Sequence, residues 1–152
     1  MRNSILILTL LCLLNCKKDN SVLQKKELSG KNTGNSFNIN QKSKQVEQSI
    51  LNNDTISYNR AFKEYVTNGH HKEFLYYAIL MAEKNNYKGA YQDISSILEF
   101  TVDDPLNYQS KFSLFSLLKA YEMGNKVAAG SVKYIYTDKG KEIPKSSSIY
   151  CK

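Results

Sequence analysis

The feature that most restricts this chain is a self-similarity at a spacing of 38 residues, from Phe74 to Phe112. Phe74 to Leu98 aligns without gaps on Phe112 to Tyr136, so that Tyr77 falls on Phe115, Ala82 on Ala120, Asn86 on Gly124, Ala90 on Ala128, Ile94 on Val132 and Ile97 on Ile135. A repeat of this length is one supersecondary unit, and such a unit cannot bury its apolar face alone; it must stack on a neighbour. The period inside each copy is helical. Tyr87, Ala90, Tyr91, Ile94, Ile97 and Leu98 fall on one stripe, and Asn and Gly, which tolerate left-handed backbone, mark a tight turn between paired helices at Asn85-Asn86 and Gly124-Asn125.

The segment Phe74 to Ala82 is apolar or aromatic at every position. By length alone it fits a buried strand as well as a helix. Its run into Glu83-Lys84 without a turn signal favours helix, and a helix apolar all round has to be covered on more than one side. That is the inner position of a stacked array. Before it, Asp54 is a good N-cap for a helix carrying Tyr58, Ala61, Phe62, Tyr65 and Val66, which Asn68-Gly69 stops, and Val46, Ile50 and Leu51 suggest a shorter helix ending at Asn52-Asn53. Between the copies, Asp104 can cap a new helix and Pro105 fits its first position. The expectation is an all-α fold, a short solenoid of helix-turn-helix repeats with about five to six helices. The repeats fall at residues 72–100 and 106–138 within a domain spanning 44–152. Helices near 44–52 and 55–67 cap its N-terminal end, and Thr137 to Lys152 close the other.

The second copy reads Leu118-Lys119-Ala120-Tyr121-Glu122-Met123-Gly124-Asn125-Lys126-Val127-Ala128-Ala129, with Tyr134-Ile135-Tyr136 beyond it. This resembles the Sel1-like branch of the tetratricopeptide-repeat superfamily: Ala, a Gly-Asn turn, Ala in the next helix, a late Tyr. The first copy keeps the Ala positions and puts Asn86 in the turn; Ser96 and Tyr134 stand near the place of the family's second Gly. The resemblance implies a scaffold that binds proteins or peptides on its concave face. Among the 11 tyrosines, Tyr76 and Tyr121 are the candidates for partner binding because they lie off the main apolar stripes.

At the N-terminus, Arg2 precedes an apolar run from Ile5 to Leu14 interrupted only by Thr9. A membrane-spanning helix needs about 20 apolar residues and a signal-peptide core about 7–15, so length selects export over spanning. The run ends in Leu13-Leu14-Asn15-Cys16, which resembles the lipobox of bacterial lipoproteins of the Bacteroidetes type, with Asn15 where Gly, Ala or Ser is usual. The resemblance implies cleavage after residue 15, lipid on Cys16 and a place in the cell envelope as an outer-membrane lipoprotein, on the periplasmic face or the cell surface. Residues 16–43 are polar and read as a flexible tether whose first lysines can rest on anionic headgroups.

Lys and Arg number 21 against 14 Asp and Glu, a net charge of +7, which favours anionic partners; for an exported protein these are acidic proteins, anionic glycans or lipid headgroups rather than nucleic acid. Of 3 cysteines, Cys12 leaves with the signal and Cys16 takes lipid. Cys151 is then alone, an exposed bystander or a partner in a mixed disulfide. His70 and His71 are adjacent, so their rings diverge and make a poor metal pair, and no metal or cofactor is expected. Neither the acidic residues nor Ser146-Ser147-Ser148 form a catalytic motif, so an enzyme is not expected. Two functions remain: a membrane-tethered protein-protein interaction module with an unknown protein or peptide partner, expected to be a monomer, or an immunity lipoprotein that neutralises an intercellular toxin. Metabolic labelling with palmitate should mark the chain, and Cys16→Ala should abolish the label; labelling that survives the substitution would place the lipid elsewhere.

Overall fold

The computed structural model describes residues 37–99 and 108–150, and within them all regular structure is helical. Six α-helices are present among the described residues: α1 (Ile39–Leu51), α2 (Thr55–Thr67), α3 (His71–Asn85), α4 (Lys88–Glu99), α5 (Tyr108–Glu122) and α6 (Lys126–Ile135). Two short 3-10 turns follow, Thr137–Lys139 and Ser146–Ile149. The helices pair in order as three antiparallel hairpins, α1–α2, α3–α4 and α5–α6, and consecutive hairpins stack. Phe74 to Ala82 is helical, as its continuation into Glu83 indicates. No helix among the described residues is long and apolar enough to cross a membrane.

Local chemistry sets each boundary. The Asp54 carboxylate accepts hydrogen bonds from the backbone N–H groups of Ile56 and Ser57, both at 3.0 Å, and so starts α2. The Asn125 side chain does the same for α6, accepting from Val127 N–H at 2.9 Å and Ala128 N–H at 3.1 Å. Within the two repeats the chain reverses at equivalent points: Asn86 has φ +50° and Gly124 φ +76°, the left-handed region that Gly enters freely and Asn enters at modest cost. These are the two positions the repeat alignment superposes. Asn53, at φ +52°, makes the corresponding turn between α1 and α2.

Side-chain amides then tie one turn to the next. Asn85 Nδ2 donates to the Ile50 carbonyl at 2.8 Å, joining the second hairpin to the end of α1, and Asn125 Nδ2 donates to the Lys88 carbonyl at 3.3 Å, joining the third hairpin to the start of α4. Lys88 Nζ donates in return to the Gly124 carbonyl at 3.2 Å. Ala78, Ala82, Ala90, Ala120 and Ala128 are fully buried; a methyl side chain is what lets helix axes approach closely. Across the interface between α4 and α5, the most extensive in the fold, Ser113 Oγ donates to the Ser95 carbonyl at 3.2 Å.

The centre of the core is aromatic. The Phe74 ring is surrounded by Tyr58, Phe62, Tyr65 and Tyr77 with centroids 5.0 to 5.8 Å away, all tilted or edge-on. The fold departs from the sequence reading at its start: α1 begins at Ile39, inside the stretch 16–43 assigned to the tether, and Phe37 is not a linker residue. Its ring packs edge-on against Tyr65 at 5.1 Å and stacks on His70 at 5.0 Å. The reason is capping. Asn38 accepts from Gln41 N–H at 3.2 Å, which starts a polar turn of helix that carries little hydrophobic signal of its own. At the other end Ser146–Ile149 folds back on α5, where Ser146 N–H and Oγ both donate to the Glu122 carboxylate at 2.7 Å. Asp104 and Pro105 lie outside the described residues.

Phe74→Ala should cost about 3–5 kcal/mol in urea unfolding, the range for deleting a buried aromatic ring, whereas Tyr76→Ala, one residue on and 62% exposed, should cost less than about 0.5 kcal/mol. Similar losses for the two would contradict the packing described.

Candidate functional site

Helix α3 presents apolar side chains in every direction. Phe74, Ala78, Met81 and Ala82 are buried against the neighbouring helices, while Leu75 and Ile79, one turn apart, are only partly covered. They look onto a trough. One part of it, about 500 Å³, is lined by Leu75, Ile79, Ile97, Leu98 and Phe112, with Lys72, Gln109 and Tyr150 among its polar groups. The other part, about 230 Å³, is lined by Phe62, Val66, His71, Ser96 and Ile97. Ile97 belongs to both, so the two adjoin across its side chain, and the trough draws on helices α2, α3, α4 and α5 and on the C-terminal segment. Its walls are helical apart from Tyr150 of the C-terminal segment.

A second cleft, about 580 Å³, lies between α1 and α2 and is polar, with Lys42, Gln48, Asn52, Asp54, Arg60 and Glu64 along it. One opposite-charge pair in it is closed, with Lys42 Nζ 2.6 Å from Glu64 Oε2, while Lys44 and Arg60 also line it. A partly exposed pair of this kind contributes little to stability.

Of the residues singled out by sequence, Cys16 and Cys151 lie outside the described residues. Tyr76 is exposed on α3 with its ring edge-on to Tyr77 at 5.5 Å. Tyr121 is half-buried and packs against the core, so its place off the apolar stripe does not leave it free for a partner in the way Tyr76 is. Neither lines the trough. His70 stacks on Phe37 and hydrogen-bonds Glu73 through Nδ1 at 3.1 Å, a contact that holds the Glu73 carboxyl below its ordinary range; the histidine serves the start of α3. No group of three or more His, Cys, Asp or Glu among the described residues is arranged to hold a metal ion. The trough residues Phe62, Val66, Leu75, Ile79 and Phe112 were legible only as helix stripes. The one signal pointing to them was the surplus of apolar positions on α3.

Two carboxylates have displaced acidities. Burial raises the pKa of Glu122, but hydrogen bonds from the Ser146 backbone and hydroxyl, with Lys119 and Lys145 nearby, outweigh it and hold the group below the usual carboxylate range. Asp93 on α4 goes the other way. Burial pushes it from 3.8 up to about 7, against the opposing pull of the Tyr58 hydroxyl, which donates to Asp93 Oδ2 at 3.0 Å. Burial and the adjacent carboxylate in turn push the Tyr58 phenol up.

Comparison with protein-family models, with characterised proteins and with solved structures gives no match to this chain. The functional reading therefore rests on its own residues.

Because the folded chain keeps a proton on Asp93 over a pH range in which the unfolded chain has lost it, this residue's contribution to stability falls as pH rises from about 4 to about 7. Asp93→Asn should gain on the parent protein across that window in urea unfolding; a difference that stays constant with pH would show that Asp93 does not titrate there.

Proposed function

We propose that this chain is a membrane-tethered protein-protein interaction module built on Sel1/TPR-like repeats, anchored in the cell envelope through lipid on Cys16. The observation that carries the reading is the trough: three stacked hairpins bury one continuous core yet leave an apolar channel open over Ile97, with Val66 at its edge 43% exposed. Contiguous apolar surface left in water is unfavourable unless something covers it, and rigid walls lower the ordering cost of doing so. The Sel1-like pattern adds a second line of support, since hairpin stacks of that family act as scaffolds for proteins and peptides. The polar stretch after Cys16 supplies the reach that a tethered binding domain needs.

Support for an enzyme is weaker. Among the described residues the trough's lining contains no carboxylate pair and no nucleophile-base arrangement, and Asp93, the carboxyl with the raised pKa, is engaged by the Tyr58 hydroxyl.

A photo-crosslinking amino acid placed at Val66 in living cells should trap a defined protein partner, and the same group at Tyr134, exposed on α6, should not. Adducts at Tyr134 alone would move the binding face, and no adduct at either position would sink the reading.

A further inference from the structure

The trough is more specific than an apolar patch, because the charge along its lining is one-sided among the described residues. Among the described residues, Lys72, His71 and the Tyr150 phenol are its ionisable lining groups, and none of the described lining residues carries a carboxylate. Among the described residues Lys42 pairs with Glu64 and His70 with Glu73. Lys72 is exposed, lies at the edge of the larger cavity and makes no ion pair among the described residues. The excess of basic residues over the whole chain adds a field of the same sign.

From this juxtaposition of an open apolar channel and an unpaired lysine at its mouth, we propose that the trough docks an amphipathic acidic peptide segment of another protein. Its aliphatic or aromatic side chains sit over Ile97 between Val66 and Phe112, and a carboxylate meets Lys72. This rests on the interaction-module reading and gives it a site and a ligand chemistry. Helix-lined grooves take side-chain anchors in this way, with apolar contact supplying affinity and the rim charge supplying orientation and partner choice. Ser96 and Gln109 stand among the apolar lining as hydrogen-bonding groups. The Ser96 hydroxyl accepts from Gln92 at 3.2 Å and keeps its own hydrogen to donate, and Gln109 is exposed, so both can also bond a peptide backbone.

The test is selection from a displayed random-peptide library on the immobilised complete chain, compared with Lys72→Glu and Val66→Asp. Both positions are exposed, so both variants should fold, which thermal melting by circular dichroism checks. The expected result is enrichment of peptides that combine aliphatic or aromatic anchors with Asp or Glu. Lys72→Glu should weaken a selected acidic peptide by about fivefold or more and turn the selection toward Lys- and Arg-bearing sequences, with the loss shrinking at high salt. Val66→Asp should abolish binding of the same peptide. Enrichment of neutral or basic peptides by the unsubstituted chain, no enrichment at all, or binding of laurate in the trough in place of any peptide would overturn the proposal. Peptides that bind all three proteins alike would overturn the assignment to this trough while leaving the interaction-module reading intact; loss of that reading would show instead in the absence of any cellular crosslink.

Discussion

Helix α3 carries more apolar surface than one partner can cover, and the architecture is the response to that constraint. Its neighbours α1 and α2 take one side and α4 another, which places Phe74 in a cage of four aromatic rings and sets Met81 and Ala82 out of water. Burial of a large apolar side chain contributes on the order of 1.5–3 kcal/mol, so a helix with this many such positions is stable only inside a stack. Among the described residues the remaining side, Leu75 and Ile79, receives no helix of its own. The trough is thus a remainder of the same constraint that builds the core.

Stacking is enforced by a small set of polar contacts at the turns. Asn85 reaches the end of α1, and Asn125 both caps α6 and reaches the start of α4. A net hydrogen bond contributes only about 0.5–1.5 kcal/mol, too little to drive association, yet these fix which turn lies beside which. Small residues do the rest: buried alanines on successive helices permit close approach, and the apolar periodicity decides the face. The residues flanking the trough on its inner side, Ile97 and Leu98, are also core residues of α4, so the packing that builds the core also sets the shape of the trough.

The C-terminal segment shows how a repeat array is finished. A terminal hairpin has an uncovered face, and here Ser146–Ile149 returns to α5, held by the paired hydrogen bonds to Glu122, while Tyr150 packs near Phe115 with ring centroids 5.8 Å apart. The same return brings Tyr150 to the wall of the trough, so closing the fold and shaping the candidate site are one event.

The all-α class, the hairpin repeats, the turn positions at Asn86 and Gly124 and the inner place of α3 were legible from local signals: helical period, left-handed residues and an N-cap at Asp54. Each depends on a few neighbouring residues, which is why sequence alone determined them. The early start of α1 was not legible, because its first turn is polar and the ring that anchors the entry, Phe37, finds Tyr65 and His70 only after the chain folds back. Nor was the trough, whose walls come from four helices and the chain end. An apolar position on a helix stripe looks the same whether another helix covers it or water does, and which of the two happens is settled by how whole hairpins pack.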